Sequence, residues 1–223
     1  MQVEIWADVV CPWCYLGKRR FERALQSFAH RDQVQVTYRS FELDPSAPPD
    51  ASTPTVRLLA DKYGMSQQQA VDTQVQMQQR AAQDGLQFRL EDLRSGNTRD
   101  AHRLLQLAKA RGRQAELVER LYRAYFTEQI SVFDHASLTG LAGGVGLDRD
   151  EVTQVLAGDS YAAAVDADEA LARQLGATGV PFFVIDRRYG ISGAQPADTI
   201  VHTLDRAWAD AEPAGPPAAV SGS

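Results

Sequence analysis

The amino-acid sequence predicts an α/β fold. A strand–helix–strand unit at the start of the chain and a strand–strand–helix unit at its end build one sheet, with an all-helical block inserted between them. Three observations predict it. Val3-Glu4-Ile5-Trp6-Ala7-Asp8-Val9-Val10 opens the chain as a strand, and Val34-Gln35-Val36-Thr37-Tyr38-Arg39-Ser40-Phe41 alternates with the period of two that a second strand requires. Near the other end, Pro181-Phe182-Phe183-Val184-Ile185 is a short, fully apolar strand. From about residue 46 to about residue 174, apolar residues recur at helical spacing.

Each element has its own signal. Tyr15, Leu16, Phe21, Leu25 and Phe28 place a helix between the first two strands, through about His30. Two sequential strands joined by a helix form a parallel, right-handed βαβ unit. Asp44-Pro45-Ser46-Ala47-Pro48-Pro49-Asp50 is a connector. Thr53-Pro54 reads as an N-cap with proline at the first helical position. Ser66-Gln67-Gln68-Gln69 resembles a capping box, and Gly85 is a C-terminal stop. The glutamine-rich run between them is a surface helix with Ala70, Val71, Val75 and Met77 as its apolar set. Asn97 or Thr98 caps a helix through Leu104, Leu105 and Leu107, ending near Gly112. Further helices are expected at about 113–128, 134–144, 148–157 and 160–175. After the apolar strand, Asp186-Arg187-Arg188 turns the chain into Tyr189-Gly190-Ile191-Ser192-Gly193. A terminal helix from Pro196 to Ala211 sets Ile200, Val201, Leu204 and Trp208 on one face. Residues 212–223, rich in Pro, Gly, Ala and Ser, read as a disordered tail. This is the thioredoxin fold (βαβ…ββα) with a large all-helical insertion domain. The thioredoxin-like domain comprises 1–45 plus 175–211, and the insertion 46–174.

Composition narrows the function classes. The chain has 223 residues, of which 44% are hydrophobic and 23% charged, enough to bury a core without staples. Its net charge of −6 argues against nucleic acid as partner, because such binding rests on basic patches that neutralise phosphates. Lys18-Arg19-Arg20 and Arg187-Arg188 are short runs, expected as a solvated helix face and a hairpin turn. No stretch approaches the ~20 apolar residues that span a bilayer, and the first residues lack the pattern of a signal peptide. A cytoplasmic protein without membrane contact is expected. Its two cysteines cannot make a disulfide framework, and in a reducing cytosol a close pair is more often catalytic or metal-binding.

Those cysteines form Cys11-Pro12-Trp13-Cys14, where the first strand gives way to a helix. Pro12 suits the first helical turn, so Cys11 lies at the helix N-terminus, where unpaired N–H groups and the macrodipole favour an anion. The thiolate is the nucleophile. Cys11 is therefore expected to be exposed and to attack, and Cys14, one turn on, to resolve the mixed disulfide. Three plainer readings compete. A structural zinc site needs four ligands, and the scatter of His30, His102, His135 and His202 matches no zinc spacing. A structural disulfide across so short a loop brings little entropic benefit. Two inert buried thiols suit a helix N-terminus poorly. The second signal is Thr178-Gly179-Val180-Pro181, directly before the apolar strand. In a thioredoxin fold a cis proline stands there against the dithiol, and its backbone offers main-chain pairing to an extended substrate.

Asp8-Val9-Val10-Cys11-Pro12-Trp13-Cys14-Tyr15-Leu16-Gly17-Lys18-Arg19-Arg20-Phe21, together with Gly179-Val180-Pro181-Phe182-Phe183-Val184, resembles the DsbA family, and more narrowly its FrnE-like subfamily. Asn97-Thr98-Arg99-Asp100-Ala101-His102-Arg103-Leu104 and Ala124-Tyr125-Phe126-Thr127-Glu128 resemble the helical region of that subfamily. The resemblance covers nearly the whole chain except the tail. It implies disulfide oxidoreductase or isomerase activity, Cys11 and Cys14 as catalytic residues, and substrate contacts from Pro12, Trp13, Val180, Pro181, Asn97 and His102. It implies no metal and no cofactor beyond the Cys11–Cys14 redox pair, with glutathione as a candidate co-substrate. The partners would be protein or small-molecule thiols and disulfides, with monomer or homodimer left open. A lone histidine on an apolar helix face is more often a satisfied core or surface residue, so a place for His102 in the substrate cleft rests mainly on the resemblance, and Asn97 is first an N-cap candidate.

The sequence also departs from its relatives. Oxidising members carry Pro-His between the cysteines, whereas Pro12-Trp13 supplies no imidazolium. The position six residues before the nucleophile, a buried acid in many thioredoxin-fold proteins, is Ile5, with Asp8 and Glu42 as the nearest substitutes. A neighbouring group of similar architecture, the kappa-class glutathione transferases and 2-hydroxychromene-2-carboxylate isomerases, is the main alternative. Its reactive position resembles Ser without a second cysteine, so the Cys11/Cys14 pair favours redox chemistry. A third reading is a non-catalytic binding module that retains the dithiol.

Overall fold

The computed structural model describes residues 1–49 and 51–211, so the expected tail at 212–223 lies outside the described residues. The chain runs β1 (Gln2–Ala7), α1 (Pro12–Ser27), β2 (Gln35–Ser40), β3 (Thr53–Pro54), α2 (Thr55–Tyr63), α3 (Gln67–Gln83) and β4 (Arg94–Ser95). It continues with α4 (Arg99–Ala110), α5 (Gln114–Arg123), a π-helical turn (Ala124–Glu128), α6 (His135–Gly144), α7 (Arg149–Ala157) and α8 (Ala162–Gln174). It closes with β5 (Phe182–Ile185), β6 (Tyr189–Ser192) and α9 (Ala197–Ala209). The main sheet has the order β2-β1-β5-β6. β1 pairs parallel with β2 and antiparallel with β5, so Ile5 faces Tyr38 on one side and Phe183 on the other.

Side chains alternate across a strand, and that alternation sorts the layers. Val3, Ile5, Phe183 and Ile185 belong to the main core with α1 and α9, and the Phe21 and Phe183 rings lie 5.6 Å apart. Trp6, Phe182 and Val184 point the other way, onto Ala172 of α8. The Trp6 indole donates to the Asp168 carbonyl over 2.8 Å. The buried Asp168 carboxylate accepts from the Ser40 N–H, Arg39 and Gln106, which ties α8 to β2 and α4. α8, the last helix of the 46–174 segment, thus serves as the second face of the sheet.

Several local expectations need correction. Thr53-Pro54 does not start a helix. It pairs with Arg94-Ser95 as a two-stranded ladder, and the helix begins at Thr55, whose N–H is donated to the Leu93 carbonyl. The partner strand is distant in sequence, and Pro54 has the extended ψ of 133°. In α3 the Ser66/Gln69 capping box is present. Its inward face is Ala70, Gln74, Met77 and Ala81, however, while Val71 and Val75 are exposed. Gln74 can turn inward because it donates to the Thr55 hydroxyl at 2.9 Å. Lys18-Arg19-Arg20 is not a freely solvated face either. Lys18 is buried between Glu22 and Glu119, and Arg20 and Arg23 both grip Asp84 at the end of α3. Arg187 pairs with Glu4. No helix among the described residues is long and apolar enough to cross a membrane.

Candidate active site

β1 ends at Ala7, and the turn Asp8–Val10 delivers Cys11 to the N-cap of α1. Cys11 is extended there (φ −90°, ψ 112°), with Pro12 in the first helical turn. The Cys11 N–H is donated to the Asp8 carbonyl at 3.2 Å, and the Cys11 carbonyl accepts from the N–H groups of Cys14 and Tyr15. Both cysteines are free thiols. Cys11 is 4% exposed and Cys14 2%, so the expectation of an exposed Cys11 is corrected. The segment before β5 accounts for this: the Cys11 Sγ lies 3.7 Å from the Val180 carbonyl, its hydrogen-bond acceptor. The Val180–Pro181 peptide is cis, as its place before the apolar strand led one to expect. Trp13 is 40% exposed and forms the outer surface of the turn.

α1 and the Val180–Pro181 segment touch closely at Gly17. A Cβ added there would meet the Pro181 ring at 2.8 Å and Phe183 at 3.4 Å, so only glycine lets the helix approach so near. Tyr15 anchors the same helix in the helical block. Its ring stacks on Tyr122 at 4.9 Å and on Phe88 at 5.7 Å, and its hydroxyl donates to Glu119.

Burial pushes the Cys14 thiol well up, and the Cys11 sulfur and the Asp8 carboxylate push in the same direction, while a main-chain contact from Asp8 opposes them. Asp8 is itself buried. One of its oxygens accepts the Leu43 N–H at 2.8 Å and the other lies 3.3 Å from His102 Nε2. His102 is 1% exposed, which corrects the expectation of a substrate contact, since its apolar helix face is packed inward. Its Nε2 faces the Asp8 carboxylate. Burial also raises the Glu42 carboxyl, against the pull of His102 and Arg99. Asn97 uses its amide on the backbone, accepting the Arg99 N–H at 2.9 Å and donating to the Pro45 carbonyl at 3.0 Å. Of the expected site residues, Cys11, Pro12, Trp13, Cys14, Val180 and Pro181 therefore come together, and Asn97 and His102 serve other contacts. Among the described residues no group of three or more His, Cys, Asp or Glu side chains is placed to hold a metal ion.

Residues 2–205 match the DSBA-like thioredoxin domain family. The chain belongs to that family. This DSBA-like protein is in class a thiol–disulfide oxidoreductase. It is similar to the probable DsbA oxidoreductase of Streptomyces coelicolor, with 52% identity over 96% of this chain and 92% of that one and a TM-score of 0.92. It shares its fold with a 2-hydroxychromene-2-carboxylate isomerase at 19% identity, covering 94% and 95% of the two chains, with a TM-score of 0.68. The cytosolic disulfide reductase DsbM of Pseudomonas aeruginosa, solved with GSH, has the fold at 18% identity, covering 94% of this chain and all of that one, with a TM-score of 0.64.

The DSBA-like site also holds residues that reading the sequence missed. The Arg80 guanidinium of α3 lies over the Trp13 ring, and Asp84 binds α3 to α1. No local signal marks either residue, because each acts on a helix far away in sequence. Gly17 stood inside a recognisable motif, but its contact with Pro181 needs the folded chain.

Proposed function

We propose that the protein is a disulfide reductase or isomerase working through Cys11-Pro12-Trp13-Cys14. The observation that carries this reading is the placement of the Cys11 sulfur at the start of α1, against the Val180 carbonyl and beside Pro181, with Cys14 buried on the next turn. In the proposed cycle the Cys11 thiolate attacks a substrate disulfide and expels one sulfur as a thiolate. Cys14 then loses its proton and attacks Cys11, releasing the second substrate thiol and leaving the Cys11–Cys14 disulfide. A thiol reductant such as glutathione returns the dithiol and is oxidised in turn. Val180 and Pro181 would take the substrate backbone, and Pro12 and Trp13 its flanking side chains. We place the activity in the cytoplasm, where such a reductant is maintained.

Trapping tests the reading. With a glutathione or peptide disulfide, Cys14→Ser should accumulate a mixed disulfide on Cys11, seen by intact mass, and Cys11→Ser should form none. Absence of an adduct on Cys11 would exclude the cycle. The isomerase-like alternative, favoured by the shared fold with 2-hydroxychromene-2-carboxylate isomerase, requires no second thiol. It predicts an activity that survives Cys14→Ser.

A further inference from the structure

A substrate sulfur has to come to Cys11, and the segments next to that sulfur offer it no charge. Pro12-Trp13 and Gly179-Val180-Pro181 hold no ionisable side chain. One charge is brought onto this surface from the helical block. The Arg80 guanidinium of α3 lies over the Trp13 ring, and both side chains are exposed. An arginine on a helix is ordinarily neutralised by an acid three or four positions away. Around Arg80, positions 76 and 83 are glutamine and position 77 is methionine, which leaves Asp84 as the acid. Asp84 is engaged elsewhere. It is buried, its Oδ2 accepts from Arg20 and its Oδ1 from Arg23. Among the described residues Arg80 therefore pairs with no carboxylate, whereas Arg19, Arg20 and Arg23 of α1 all do. A guanidinium resting on an aromatic face keeps its planar fork of N–H groups, which matches a carboxylate with two parallel bonds. The net charge of −6 gives an anionic substrate no long-range attraction, so its acceptance has to come from a local cation.

We propose that Arg80, seated on Trp13, is a specificity residue that selects disulfides carrying a carboxylate close to the reacting sulfur. The proposal rests on the reading of Cys11 as the attacking thiol and names the substrate class of that site. In the step concerned, the Cys11 thiolate bonds to one substrate sulfur. The substrate S–S bond breaks, and its electron pair leaves on the other sulfur. Arg80 takes no part in that exchange of bonds. It holds a carboxylate on the residue that bears the sulfur or on one flanking it, and Trp13 sets the place of the contact. Small acidic thiols and acidic segments of proteins both present such a carboxylate.

Two reagents isolate the contact. Dithiobis(nitrobenzoate) carries a carboxylate on each ring, dithiodipyridine is uncharged at neutral pH, and both release a coloured thiol when Cys11 attacks. In Arg80→Ala the ratio of the two first-phase rates, dianion over neutral, should fall about fivefold, the scale of one contact between unit charges in water. Any action of the guanidinium on the Cys11 thiolate affects both reagents alike and cancels in the ratio. Arg80→Lys should restore most of it, and added salt should shrink the wild-type ratio. A second pair, peptide disulfides with Glu or with Gln beside the cysteine, tells the two sources apart. A loss of preference with the reagents alone assigns the contact to small thiols, a loss with the peptides alone to acidic protein segments, and a loss with both to the carboxylate whatever carries it. Unchanged ratios in both pairs overturn the proposal. A wild type in which none of the four reacts at Cys11 removes the thiol-exchange reading itself, and the proposal with it.

Discussion

The Arg80 guanidinium lies over the indole of Trp13, 5.2 Å from the ring centre. The two residues belong to different layers, α3 of the helical block and the first turn of α1. What sets their distance is one turn further along α3. There Asp84 accepts from Arg20 at 2.9 Å and from Arg23 at 3.0 Å, fastening the end of α3 to α1. Trp13 stands where a Pro-His dithiol would carry a histidine, and the helical block sets a cation on the face of the tryptophan instead. A cation–π contact at an exposed site is worth ~0.5–1 kcal/mol.

That pairing sets an expectation for redox poise. A cation beside the dithiol favours the thiolate of the reduced form and so raises the potential. The protein should lie between the strongly oxidising ~−120 mV and the reducing ~−270 mV of thioredoxin-fold extremes. Arg80→Ala should lower its potential, each ~30 mV standing for ~1.4 kcal/mol of lost thiolate stabilisation in this two-electron couple. Trp13→His should raise it. Equilibration in glutathione buffers, followed by thiol alkylation and mass analysis, reads all three. A rise in Arg80→Ala would show that the guanidinium does not act on the thiolate.

Burial does not distinguish the two cysteines, but chemistry should. Cys11 sits at the N-cap of α1, whereas Cys14 is held protonated by its surroundings. Iodoacetamide should therefore modify Cys11 at least ~10-fold faster than Cys14 in the native reduced protein. Peptide mapping of partly alkylated protein measures the ratio. Preferential labelling of Cys14 would reverse the two roles.

The buried thiol should also show in stability. The native thiol of Cys14 ionises at higher pH than the unfolded one, near ~8.5. Below that pH both states are protonated and the contribution is complete. Above it the unfolded chain gives up its proton first, so stability falls with rising pH by up to ~1.4 kcal/mol per pH unit. Urea titrations should show reduced wild type losing stability through the alkaline range faster than Cys14→Ser. Parallel curves for the two proteins would contradict the raised thiol.

Gly17 and Gly140 should respond oppositely to alanine. At Gly17 the new methyl would press on Pro181 at 2.8 Å, and overpacking of this kind costs ~1–3 kcal/mol. Because the displaced segment is the proposed substrate clamp, disulfide turnover should fall as well. Gly140 lies inside α6 with open space around it, so alanine there should add ~0.5–1 kcal/mol of stability and leave turnover alone. Thermal unfolding and insulin-disulfide reduction give both numbers. A neutral Gly17→Ala would mean that the Pro181 segment gives way freely.

The sequence by itself determined those features whose cause is local. The opening run Val3–Val10 placed β1, alternation placed β2, and an unbroken apolar run placed β5. Ser66 and Gln69 marked the start of α3 because a capping box is closed within a single turn. The dithiol at a strand–helix junction and a proline ahead of an apolar strand were legible for the same reason. The tertiary structure alone decided everything that depends on which distant segment lies opposite. Thr53-Pro54 became a strand because Arg94-Ser95 came to pair with it. Val71 and Val75 stayed outside because Gln74 found a partner in Thr55 and turned inward. His102 meets Asp8, 94 positions earlier in the chain, and Arg80 meets Trp13 where Asp84 also joins α3 to α1. Periodicity specifies which residues share a face of an element. Which partner covers that face is settled when layers pack, and so the surroundings of the two cysteines arise from packing between the sheet and the helical block.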